Sequence, residues 1–82
     1  MNNKTESQKF IEALEQSLPA VFARSQLTEL SGGLVNSRTI ANRMSRGDGP
    51  PGIRIGRIVG FSRGSFIAWL RDNIKNITNE VK

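Results

Sequence analysis

The chain contains no cysteine, no histidine and no tyrosine. The missing histidine removes the commonest general base and the missing cysteine all thiol chemistry. Together they remove most transition-metal ligands. Without cysteine there are no disulfides either, which fits a reducing compartment. The seven acids are scattered, with no close pair suited to shared proton work. No apolar run approaches the roughly 18–20 residues of a membrane span. Residues 1–6 are polar and lack an apolar h-region, so no secretory signal is expected. These absences point away from an enzyme: no catalytic residue, metal, cofactor or small-molecule substrate is expected.

Lysine is scarce where arginine is plentiful. The four lysines sit at positions 4, 9, 75 and 82, in the terminal segments. Residues 31–71 carry seven arginines against one acid, Asp48, within a chain of net charge +5. Planar, multi-donor guanidinium groups suit phosphate and base-edge recognition, and their collection in one half of the chain points to nucleic acid.

Two strings imitate catalytic motifs. Gly47-Asp48-Gly49-Pro50-Pro51-Gly52 matches GxGxxG, yet a helix-like segment precedes it and a strand-like one follows, the reverse of a dinucleotide site. Its two prolines also delete amide donors. Gly60-Phe61-Ser62-Arg63-Gly64 matches a nucleophile elbow, but no histidine exists to activate Ser62. Ser62 reads instead as a helix cap.

With 82 residues there is room for a single domain. Thr5 and Gln8 have the form of a capping box, opening a helix to about Ser17 with Phe10, Ile11, Leu14 and Leu18 on one face. Pro19 ends it, and Ala20-Val21-Phe22 reads as a short extended entry. Arg24–Ser31 forms a two-turn helix stopped by Gly32-Gly33. Asn36 then caps a second helix, Ser37–Arg46, closed by Gly47. Helix, glycine turn, helix is the helix-turn-helix pattern, with the second helix as the reader. On it Ser37, Ile40 and Met44 share the inner face, and Arg38, Thr39, Asn42 and Arg46 the outer one, with Arg43 on the flank. Residues 47–52 form a Gly/Pro loop. Ile53-Arg54-Ile55 and Ile58-Val59-Gly60-Phe61 then form a hairpin whose Gly56 suits a type II′ turn. The pattern leaves open whether Ile53, Ile55 and Ile58 or Val59 and Phe61 face inward. A last helix runs from Ser62 to about Lys75, with Trp69 as a core anchor. Ile67, Leu70, Ile74, Ile77 and Val81 follow a spacing compatible with a dimer seam, although Asn73, Asn76 and Asn79 favour a frayed tail.

From Leu18 to Leu70 the chain resembles small phage and prophage DNA-binding proteins of the AlpA and excisionase type, with a MerR-like winged helix-turn-helix. The resemblance rests on Leu30-Ser31-Gly32-Gly33, Ser37-Arg38-Thr39-Ile40, the Gly/Pro loop, Ile55-Gly56-Arg57-Ile58-Val59-Gly60-Phe61 and Ala68-Trp69-Leu70. It departs from the family in its longer turn, Gly32–Asn36, and in the helix before Leu18. The resemblance implies double-stranded DNA as partner, the second helix in the major groove and the hairpin as wing. Carried over, Arg38, Thr39, Asn42 and Arg43 take the reading role and Arg54 and Arg57 the wing role.

The expected architecture is therefore mainly α with a small β-hairpin, a winged helix-turn-helix. It divides into an N-terminal helical extension (1–20), the DNA-binding unit (21–75) and a tail (76–82). Arg38, Thr39, Asn42, Arg43 and Arg46 are expected on the reading helix, with Arg54, Arg57 and Arg63 as wing and backbone contacts. A transcriptional regulator is the first expectation. An architectural factor in site-specific recombination is the second, and a protein-interaction adaptor on the same scaffold the third. A homodimer or multimer on DNA is expected, in the cytoplasm with the nucleoid and away from membranes.

Overall fold

The computed structural model describes residues 5–74. They form four α-helices and a three-stranded antiparallel sheet: α1 (Glu6–Ser17), β1 (Val21–Ala23), a 3₁₀ turn (Arg24–Gln26) running into α2 (Leu27–Leu30), α3 (Ser37–Ser45), β2 (Ile53–Ile55), β3 (Ile58–Ser62) and α4 (Arg63–Arg71). The last helix, expected to run to about Lys75, ends earlier, at Arg71 with Asp72 as its C-cap; the tail and the outer seam residues Ile77 and Val81 lie outside the described residues. Among those residues no helix is long and apolar enough to cross a membrane.

Local chemistry sets most boundaries. Thr5 and Gln8 form a reciprocal capping box at the start of α1. Asn36 accepts from the amides of Arg38 and Thr39, and Ser62 from that of Ser65. Both α2 and α3 end in a Schellman motif. At α2 the Gly33 amide reaches the Thr28 carbonyl (2.7 Å) and the Gly32 amide that of Glu29 (3.1 Å). At α3 the Asp48 amide reaches Arg43 (3.0 Å) and the Gly47 amide Met44 (3.1 Å). This geometry requires a left-handed residue, supplied by Gly32 (φ +67°) and Gly47 (φ +86°). In the hairpin Gly56 takes φ +63° while Arg57 does not go positive. That combination excludes a type I′ turn and fits type II′.

Ala20-Val21-Phe22, read as an extended entry, continues into a full edge strand. The sheet order is β1-β3-β2, with Phe22 opposite Phe61, Arg54 opposite Val59 and Ile55 opposite Ile58. This settles the hairpin's orientation. Phe22, Val59 and Phe61 are buried on one face, while Val21, Ile53, Ile55 and Ile58 are exposed on the other. Phe66 of α4 is the hub of the core. It is fully buried, with ring centroids 5.6 Å from Phe22, 5.6 Å from Phe61 and 5.9 Å from Trp69. Leu18, Leu27, Ile40, Ile67 and Leu70 complete the core. The helix expected as an extension shares it, since Ile11 and Leu14 of α1 are also buried there. Ile67 and Leu70 are 1% and 7% exposed inside the chain, which removes them from any dimer seam.

Candidate nucleic-acid interface

Side-chain hydroxyls lock α3 against the preceding turn. The Ser37 amide donates to Thr28 Oγ1 (2.9 Å), Ser37 Oγ to the Arg24 carbonyl (2.8 Å), and the two hydroxyls lie 3.0 Å apart. Ser31, the one buried polar side chain in the described core, accepts from the Val35 amide (2.9 Å) and so fixes the bend between α2 and α3. With Ile40 buried and Ser37 clamped, the outer stripe Arg38-Asn42-Arg46 turns to solvent with Thr39 beside it.

The arginines separate into two groups. Arg38, Arg54 and Arg57 are exposed, and no described residue takes a hydrogen bond or ion pair from their side chains. Arg38 and Arg57 line one open cleft of about 460 Å³ between α3 and the hairpin, together with Arg24, Ser25, Ser37, Ala41 and Val59. Arg54 stands opposite Val59 and so shares the hairpin face that borders the cleft. Arg46 lies at the far end of α3, exposed and 3.7 Å from Asp48.

Arg43 and Arg63 are engaged inside the chain. The Arg43 guanidinium lies 5.1 Å over the Trp69 ring, donates to Asn73 Oδ1 (2.9 Å) and stands 3.6 Å from Asp48. Trp69 Nε1 in turn donates to the Asp48 carbonyl, so Arg43, Trp69 and Asp48 brace the loop after α3 against α4. Arg63 donates to the Leu18 carbonyl (3.0 Å) through its side chain and to the Ala20 carbonyl (2.8 Å) through its amide. It thereby ties the start of α4 to the segment leaving α1.

Sequence reasoning missed Arg24, which enters the cleft because the 3₁₀ turn packs over the start of α3. The one available signal is that Arg24 is the only cation between Lys9 and Arg38. Ser62 is held as a cap, as its place before the last helix led us to expect, and no cluster of three or more acidic, histidine or cysteine ligands occurs among the described residues. No protein family, curated protein or solved structure matches the chain.

Proposed function

We propose that this protein binds double-stranded DNA as a winged helix-turn-helix, with α3 in the major groove and the β2–β3 hairpin as wing. One observation carries the reading: Arg38, Thr39 and Asn42 form an uncommitted outer stripe on α3, and Arg38 at its edge also lines a cleft with Arg24 and Arg57. A nine-residue helix is roughly 13 Å long, a size the major groove admits. Arg suits guanine, Asn adenine and Thr either base. In this reading Arg38, Thr39 and Asn42 contact base edges, while Arg24, Arg46, Arg54 and Arg57 anchor phosphates. Arg43 and Arg63 act as braces, because oxygen acceptors and a ring within the chain hold their guanidinium groups, whereas Arg24 is held within the chain only by a 3.5 Å contact to Met44 Sδ. The resemblance to AlpA- and excisionase-type proteins supports a sequence-specific regulator of that kind.

Anisotropy of a labelled random duplex, titrated with protein at about 50 and 200 mM salt, tests the reading. The four arginine anchors give a log–log slope of roughly −3.6, so affinity should fall about 150-fold over that interval. Absence of binding at the lower salt would overturn the proposal and leave the arginine stripe to be tested against acidic proteins.

A further inference from the structure

Of the five large apolar side chains that are strongly exposed among the described residues, four lie on the outer face of the sheet: Val21 (69%), Ile53 (63%), Ile55 (71%) and Ile58 (62%). The cross-strand register puts them there together with Ala23, Gly60 and Ser62. No charged residue among the described residues shares that face, although 12 cations and 7 acids are spread over the chain. Its relief is uneven. Ile53, Ile55 and Ile58 form a ridge along one side. Beside them runs an open apolar groove of about 640 Å³, bordered by Val21 and Ala23, where Gly60 contributes no side chain.

We propose that this outer sheet face is a self-association surface, on which a second copy of the chain packs sheet to sheet about a two-fold axis. A ridge beside a groove is self-complementary: a two-fold rotation sets the isoleucine ridge of each copy into the groove of the other, as an isologous interface requires. Charge favours the same occupant. Two chains of net charge +5 repel, and they meet at least cost where neither presents a charged side chain. A strongly acidic or basic partner finds no counter-charge on this face. Area sets the strength. Four such side chains amount to roughly 400–500 Å², within the range of functional patches. Doubled across the axis this reaches about 1,000 Å², the lower limit for a specific interface. The dimer is therefore at the weak, transient end of specific interfaces.

This inference stands apart from DNA binding, and salt separates the two. Screening removes the repulsion between copies, so self-association strengthens as salt rises, whereas binding to phosphates weakens. The test is sedimentation of the full chain without DNA at about 50 and 500 mM salt. The expected result is a shift from 9.1 kDa toward twice that mass with concentration, more complete at the higher salt. Ile55→Asp and Ile58→Asp should each raise the dissociation constant at least tenfold. Leu34→Asp, at an equally exposed site (72%) off the sheet, should not. Because the chain has no cysteine, Ile58→Cys provides a second readout that does not depend on tolerance of a buried charge: a short bis-maleimide should join two copies, and should fail to do so for Leu34→Cys. A strictly monomeric chain at high salt, or association that survives both aspartate substitutions, would overturn the proposal. Either outcome leaves the DNA reading standing, just as a failure to bind duplex leaves the dimer standing.

Discussion

Arg43 and Arg57 carry the same charge on the same half of the chain, but Arg43 is engaged inside it and Arg57 is exposed, so the proposed function gives them opposite work. Replacing Arg43 by alanine removes the stack on Trp69, the hydrogen bond to Asn73 and the ion pair with Asp48. A partly desolvated cation–π contact contributes about 1 kcal/mol, and the hydrogen bond about another. The ion pair is half-exposed at 3.6 Å and adds little. Arg43 Nε is buried without a partner, so its removal relieves a small cost. The net loss is about 2 kcal/mol, which in a domain of this size lowers Tm by roughly 8–16 °C. Arg57→Ala touches no intrachain partner among the described residues and should stay within about 0.5 kcal/mol of the parent. On DNA the order reverses. Losing Arg57 should reduce the salt slope by about one, so the affinity drop between 50 and 200 mM salt becomes roughly threefold to fourfold shallower. Arg43→Ala, measured well below its Tm, should keep the parent slope. Thermal melts and anisotropy on the two variants decide the matter. A stable Arg43→Ala with a reduced slope would refute the division into braces and anchors.

Asn42→Ala should cost about 1–3 kcal/mol on the preferred site and little on random duplex, by competition anisotropy; equal losses on both would remove Asn42 from base reading. Gly49→Ala would place its Cβ 2.7 Å from the Met44 amide nitrogen and 2.9 Å from its Cα. The backbone must shift, and denaturant unfolding should show a loss of about 1–3 kcal/mol; an unchanged midpoint would contradict the close approach. Ser31→Ala leaves the Val35 amide without its acceptor, so about 1–3 kcal/mol should be lost. Amide exchange should speed up first at Val35, and unaltered protection there would show that the hydroxyl does not hold the turn.

What the sequence made legible was local. The caps at Thr5, Asn36 and Ser62 act within three residues, and Gly32, Gly47 and Gly56 mark turns through a backbone freedom that is visible in the residue itself. The inner face of α3 followed from helical spacing alone. What stayed hidden depended on distant partners. The hairpin alternates isoleucine on one face with valine and phenylalanine on the other, so alternation alone does not choose between them; the aromatic cluster around Phe66 decides it by drawing in Phe22 and Phe61. Arg43 lies on the flank of the outer stripe, and only the folding of α4 brings Trp69 and Asn73 within its reach. Loop 47–52 read as irregular, yet Gly49 packs on α3, Gly52 against Gly60 and Phe61, and Pro50 is buried. The burial of α1 was equally invisible as a tertiary fact, although its apolar stripe was plain.

The most direct test of the proposed interface is amide chemical-shift mapping of the isotope-labelled protein on addition of duplex DNA. The largest changes should fall at residues 24–25, 36–42 and 54–58, which carry the cleft and the outer stripe of α3, with α1 little affected. Changes concentrated on α1, or on the edge strand Val21–Ala23 with α3 untouched, would contradict the proposed interface.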